Sequence, residues 1–310
     1  MVPAEKVVHS GITVIVPTLS RPSLADAKKS LDSQSLKADS ILYMDGPGDP
    51  VSKIKRALEK TETEYVAFAD DDAVYPEHWL QSMLDVIETD SNIGFVGGTM
   101  LPMSQIKPAG DSEKLIAFVL GSFFGTTNMS QRVKIKEKVE ARDETNMVGC
   151  GLARTSLVKE LFATDNIIPS FHDTWMIFKM QQKGYRTMYS PNAYFYHATR
   201  KSLWGFAWQM LRCGSGRMGF FKQNPSQAVK KFYILIPLVF DIYLFAFFVF
   251  NYFNILTISG LPLIAYVLLN LAVTVLQKGT WKLSLYYFVM HFSYGLGELL
   301  GLVRSVKKWS

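Results

Sequence analysis

Residues 65–80 read YVAFADDDAVYPEHWL. The opening YVAFA is a short, wholly apolar run, the composition of a strand buried on both faces, and it leads straight into Asp70, Asp71 and Asp72. Pro76 then opens a helical pattern that sets Trp79, Leu80, Met83, Leu84 and Ile87 on one face. Adjacent carboxylates repel one another, so three at a strand end imply either a bound cation or a solvated acidic turn ahead of the helix. Hard divalent ions such as Mg²⁺ or Mn²⁺ take carboxylate and phosphate oxygens. A strand that delivers the acids to the sheet edge favours the cation.

Working upstream, residues 11–17 (GITVIVP) form a β-branched run ended by proline, and residues 23–35 place Leu24, Ala27 and Leu31 at helical spacing. Residues 40–44 (SILYM) predict a second strand, stopped by Asp45-Gly46-Pro47-Gly48, and residues 51–60 a second helix. This β-α-β-α-β order argues an α/β domain with a mainly parallel sheet. Ligands of such sheets collect beyond the carboxyl ends of the strands, where Thr18, Asp45 and the aspartate triplet fall.

The chain of 310 residues has room for about two domains. Its 48% hydrophobic and 19% charged residues exclude a disordered chain and argue against a wholly soluble one. Thirty-three basic against 27 acidic residues give a net charge of +6. That excess suits an anionic ligand or a membrane surface, and its lack of a stripe argues against nucleic acid. Cys150 and Cys213 are too few for a disulfide framework and lack zinc spacing. No GxxxxGK[ST] phosphate loop occurs. The opening MVPAEKVVHS lacks the charged-then-apolar pattern of a signal peptide, so the expected starting compartment is the cytosol.

Polarity changes near Lys231: residues 232–310 hold five basic and two acidic residues. Apolar runs at 232–253, 255–276 and 283–303 each reach the roughly 20 residues that cross a membrane, so three transmembrane helices are expected. The implied organisation is a soluble domain at 1–200, amphipathic interfacial helices at 201–231 and a membrane domain at 232–310. Arg217, Lys222, Lys230 and Lys231 ahead of the first run, with Lys278 and Lys282 in the second connection, place the soluble domain on the cytoplasmic face of a multi-pass cell-membrane protein. Arg304, Lys307 and Lys308 conflict with that topology. Trp204, Trp208 and Leu211 share a helical face near Arg200, Lys201, Arg212 and Arg217, as in a helix lying among lipid headgroups.

Other motifs carry less. Gly214-x-Gly216-x-x-Gly219 matches the dinucleotide fingerprint by letter but follows a helix. Asn128-Met129-Ser130 is a glycosylation sequon made idle by a cytoplasmic face. Gly297-x-x-x-Gly301 lets helices approach closely, and Asp241 and Glu298 are acids inside apolar runs.

The set GITVIVPTLSRP, ILYMDGPGD, YVAFADDDAVYPEHWL, MVGCGLAR and HDTWMIFKMQQKGYRTMYSPNAYFYH resembles, in order over about residues 10–213, the family-2 inverting glycosyltransferases of the GT-A fold. Among their subgroups it looks most like membrane-attached exopolysaccharide enzymes of the succinoglycan type. The resemblance implies a GT-A (Rossmann-like) domain and a divalent metal, Mg²⁺ or Mn²⁺. It also implies a UDP- or GDP-linked sugar donor and a lipid-linked or growing-glycan acceptor. Residue by residue, Pro17, Thr18, Asp45, Asp70 and Asp71 would bind the donor nucleotide, and Asp72 and His197 the metal. Asp173 would be the base that deprotonates the acceptor hydroxyl. The family's usual Glu-Asp pair stands here as His172-Asp173. Gln209 and Arg212, from a Q-x-x-R-W motif whose tryptophan is here Cys213, would with Arg200 contact diphosphate or acceptor.

On the residues alone, Asp173 reads equally as an acid favoured by a helix N-terminus, and His197 as a structural strand-end histidine. The 209–213 segment reads equally as an ordinary basic membrane-surface helix. Two other functions remain open. Asp70-x-Asp72-Ala-Val74 fits the nucleophile motif of haloacid-dehalogenase-like phosphatases, although no later acidic pair accompanies it. The chain would otherwise be an inactive membrane scaffold with a sugar-nucleotide fold.

Overall fold

The computed structural model describes residues 10–126, 137–141 and 149–303. The sequon at 128–130, residues 147 and 148 of the MVGCGLAR stretch, and the basic tail residues Arg304, Lys307 and Lys308 lie outside them. The chain divides into two compact units, one from residues 1–107 and 131–198, the other from 108–130 and 199–309.

The first unit contains β1 (Ile12–Pro17), α1 (Leu24–Asp32), β2 (Ser40–Met44), α2 (Pro50–Leu58), β3 (Tyr65–Phe68), β4 (Ala73–Val74), α3 (Trp79–Ile87), β5 (Ile93–Gly97) and β6 (Met100–Pro102). After α4 (Asp111–Gly121) and α5 (Phe123–Thr126) of the second unit, it resumes with β7 (Val139–Glu140), β8 (Gly151–Arg154), α6 (Thr155–Phe162), α7 (His172–Gln182), β9 (Arg186–Tyr189) and β10 (Phe195–His197). A seven-stranded sheet runs β2-β1-β3-β8-β5-β9-β7, and a three-stranded one runs β4-β10-β6.

The large sheet is mixed but mainly parallel, as expected: five of its seven strands run in one direction. β1 pairs in parallel with β2 and β3, and β5 with β9. β8, however, enters between β3 and β5 antiparallel to both, and β7 pairs antiparallel with β9. The β-α-β-α-β reading holds for the first three strands. β8 follows α4, α5 and β7 in the chain and enters the sheet antiparallel to both of its neighbours.

Burial follows the residue pattern. Ile12, Val14, Ile15 and Val16 of β1 are fully enclosed, as expected for a strand covered on both faces. The α3 face foreseen from spacing, Trp79, Leu80, Met83, Leu84 and Ile87, is buried against the same core as β1, β3 and Phe195. Each such large side chain contributes roughly 1.5–3 kcal/mol by leaving water. After β2 the chain turns through Gly46 and Gly48, both at positive φ (81° and 106°). Asp49 then caps α2, its carboxylate accepting from Ser52 N at 3.0 Å, with Pro50 at the first helical position.

The second unit contains α4, α5, α8 (Leu203–Gln223), α9 (Pro225–Lys230), α10 (Ile236–Tyr252), α11 (Leu261–Leu276) and α12 (Trp281–Val303). The expectation of three membrane helices is not met by length and composition. Among the described residues one helix, Phe232–Tyr252, is long and apolar enough to cross a membrane. α11 has 16 residues, about 24 Å at 1.5 Å per residue against a hydrocarbon core of roughly 30 Å. α12 is 23 residues long, but Lys282, His291, Glu298 and its serines and glycines dilute it.

Here the glycine motifs acquire a physical role. A Cβ on Gly214 of α8 would fall 2.1 Å from the Tyr294 carbonyl oxygen of α12, and one on Gly297 would fall 2.1 Å from the Leu211 carbonyl oxygen of α8. The two helices therefore meet backbone to backbone at Gly214 and Gly297, so the first glycine of the dinucleotide-like fingerprint serves helix packing. Asp241 and Glu298 are buried in this unit, Glu298 with Arg217 of α8 as its charged neighbour.

Candidate active site

β3 ends at Phe68 and delivers Asp70, Asp71 and Asp72 to the carboxyl edge of the large sheet. The three acids part company there. Asp71 turns inward and is buried: its Oδ2 accepts from Thr18 Oγ1 at 2.8 Å and from Leu19 N at 2.9 Å. Thr18, just past β1, is therefore clamped to the triplet. Its carbonyl also accepts from the buried Lys53 ammonium of α2 at 2.7 Å. Pro17 is half-buried at the end of β1, and Asp45 is exposed at the end of β2, its carbonyl receiving Arg56 at 3.3 Å.

Asp70 and Asp72 instead face His197. The antiparallel ladder of β4 and β10 sets His197 opposite Ala73, and Ala198 N donates to the Asp72 carbonyl at 3.0 Å. His197 Nε2 consequently lies 3.0 Å from Asp72 Oδ1 and 3.4 Å from Asp70 Oδ2. Its Nδ1 lies 2.8 Å from the Ala198 carbonyl oxygen, which fixes the ring plane. One ligand atom from each of the three residues lies within 4.8 Å of the others. Burial disfavours the charged ring, but hydrogen bonds and charge from Asp70 and Asp72 outweigh it and hold the His197 pKa up at about 10. Two carboxylates and an imidazole are a donor set that fits a divalent ion, and here a protonated ring balances the acids. Arg21 Nη1 stands 3.8 Å from Asp72 Oδ2 as a second, half-exposed cation.

Asp173 sits in the first turn of α7, half-buried, its Oδ1 accepting from Thr174 N at 2.7 Å. The neighbouring His172 turns away, Nδ1 lying 2.9 Å from the Pro169 carbonyl oxygen. Gly149 packs against Asp173, since a Cβ there would stand 2.6 Å from the Asp173 Cβ. Arg200, Gln209 and Arg212 belong to the second unit. Arg200 precedes α8, where Gln209 is half-buried and Arg212 exposed. Trp204 and Trp208 of the same helix are exposed and meet edge to face at 5.9 Å.

The sequence reading passed over Cys150, Tyr75, Lys53 and Arg21. Lys53 carried a signal, because it falls on the buried stripe of α2 beside Val51, Ile54 and Ala57. Cys150 carried none, since only the pairing of Gly151 with Phe68 brings it to the triplet.

The sequence family described as glycosyltransferase like family 2 matches residues 41–216. No curated protein matches the chain. Among solved structures, the mannosyltransferase PcManGT from Pyrobaculum calidifontis in complex with GDP-Man and Mn²⁺ is similar over 96% of this chain and 88% of its own, with a TM-score of 0.61 at 14% identity. S. aureus TarS 1-349 gives a TM-score of 0.42 at 17% identity, covering 66% of this chain, which spans 64% of the TarS structure's length. The same fragment with UDP-GlcNAc gives 0.43 at 16% identity, covering 66% of each chain. The likeness in fold rests on the first of these. The fold is the GT-A-like α/β fold, with a mixed sheet. The chain belongs to glycosyltransferase family 2 and is a glycosyltransferase; the phosphatase and scaffold alternatives are not favoured.

Proposed function

We propose that this glycosyltransferase moves a sugar from a UDP- or GDP-linked donor to a lipid-linked or growing-glycan acceptor, with inversion, at the cytoplasmic face of the cell membrane. The observation that carries the reading is the convergence of Asp70, Asp72 and His197 at the carboxyl edge of the sheet. A divalent ion held by these three would offset the negative charge that collects on the departing nucleoside diphosphate.

The chain's own residues supply the rest. Asp45, Pro17 and the Thr18 loop, braced by Asp71 and Lys53, form the rim on which the nucleotide is held. Asp173 takes the proton of the acceptor hydroxyl as its oxygen attacks the anomeric carbon. One in-line displacement with one base inverts that carbon. The apolar Phe232–Tyr252 helix and the exposed Trp204–Trp208 pair, near Arg200 and Arg212, support a membrane-associated acceptor with an anionic headgroup.

The test is nucleoside diphosphate release by the purified full-length chain over a panel of UDP- and GDP-sugars with Mn²⁺. Asp72→Ala is expected to abolish release, and Asp173→Asn to abolish transfer while calorimetry still detects binding of UDP or GDP. Transfer unchanged in both variants overturns the reading.

A further inference from the structure

Cys150 is 3% exposed and lies just ahead of β8. Its Sγ donates to Asp70 Oδ2 at 3.2 Å, the same oxygen that faces His197 at 3.4 Å. On the main-chain side, Asp70 N donates to the Tyr75 hydroxyl at 2.6 Å, and that hydroxyl stands 3.8 Å from Cys150 Sγ. Tyr75 is itself locked, its ring centroid 4.4 Å from Trp79 and 5.7 Å from Phe195. Asp70 is thus held at both ends, by a ring that does not turn and by a buried thiol. The residue before Cys150 packs against Asp173, because Gly149 lies there with no room for a Cβ. β8 fixes this short segment from behind, where a Cβ on Gly151 would fall 2.4 Å from the Val96 carbonyl oxygen.

We propose that Cys150 is a positioning residue: its thiol donor aims Asp70 at the cation position shared with Asp72 and His197, and its link to Gly149 fixes that position relative to Asp173. The proposal deepens the proposed function and rests on its metal site. A carboxylate at a sheet edge otherwise samples several rotamers, and a donor to one of its oxygens removes that freedom before the ion arrives. The competing role is packing, since Cys150 also belongs to the apolar core. The two roles order the substitutions oppositely: a donor role favours serine, a packing role favours an apolar side chain.

The experiment is a titration of Mn²⁺ alone into the purified full-length chain, followed by electron paramagnetic resonance, for wild type, Cys150→Ser, Cys150→Ala and Cys150→Val. Valine fills the volume without a donor and keeps the comparison open if alanine loosens the core. The positioning role predicts that alanine and valine weaken Mn²⁺ binding about tenfold, the scale of a hydrogen bond to a charged group, while serine stays within about twofold of wild type. Mn²⁺ binding by alanine or valine equal to wild type, or serine weaker than both, overturns it. A wild-type chain that takes up no Mn²⁺ removes the metal site itself, a failure of the underlying function distinct from the other two.

Discussion

His197 Nε2 stands 3.0 Å from Asp72 Oδ1, and a main-chain carbonyl 2.8 Å from Nδ1 leaves the ring no other orientation. Two strands far apart in the sequence produce this pair, because the ladder of β4 and β10 places His197 across from Ala73. The proton on the ring therefore occupies the place that the proposed divalent ion would take over, and the two would compete for one site.

That competition has a sign. With the His197 pKa raised from 6.5 to about 10, a Mn²⁺ ion that binds the ring displaces a proton throughout that window. Mn²⁺ affinity is expected to rise by up to about tenfold per pH unit from 6.5 towards 10. The metal-free fold responds inversely: the stabilisation from the charged ring is complete below pH 6.5 and disappears as pH climbs through about 10. Thermal midpoints without metal should fall over this range for wild type and much less for His197→Gln. Parallel curves for the two proteins count against the pairing.

Arg21 supplies a smaller competing charge. Its guanidinium lies 3.8 Å from Asp72 and is half-exposed, so solvent screens the pair to roughly 0.2–1 kcal/mol. Arg21→Ala should tighten Mn²⁺ binding in the absence of nucleotide by no more than about fivefold. Weaker Mn²⁺ binding in this variant would mean that Arg21 supports the site instead of opposing the ion.

How much of this was legible depends on what each residue's role required. The strand 65–68, the buried face of α3 and the loop after β2 follow from local chemistry: apolar runs, helical spacing and a Gly-Pro-Gly turn. The different fates of Asp70, Asp71 and Asp72 do not, because identical neighbours are sorted by Thr18 on one side and His197 on the other. The antiparallel entry of β8 was equally hidden, and with it Cys150, since strand direction is set by a connection whose path leaves no periodic mark. The apolar runs were plain, and run length overstated helix length only in the second, where residues 255–276 hold a helix only from Leu261 to Leu276.

The α8–α12 contact has no tolerance for added atoms. A Cβ on Gly214 would sit 2.1 Å from the Tyr294 carbonyl oxygen, which is backbone and cannot rotate aside. Gly214→Val should destabilise the helical unit by about 1–3 kcal/mol or more. A lowered thermal midpoint in detergent is the expected result, and an unchanged midpoint would show that the helices do not meet at this face.

Gly149→Ala separates the two halves of the chemistry. The added Cβ would stand 2.6 Å from Asp173 Cβ and 3.2 Å from its Oδ2, so the acid at the head of α7 must shift. Asp70, Asp72 and His197 are held by other elements, Tyr75 and the β4–β10 ladder, and keep their arrangement. For the proposed base, a displacement of about 1 Å is enough to lower turnover about a hundredfold, while Mn²⁺ affinity should remain within about twofold of wild type because none of the three proposed ligands has moved. Asp173→Asn should leave Mn²⁺ affinity equally unchanged but lose transfer altogether, because it removes the group that Gly149→Ala only displaces. A Gly149→Ala chain that loses Mn²⁺ together with turnover would show that its Cβ disturbs the Cys150 side as well, and that the metal and base halves cannot be perturbed independently.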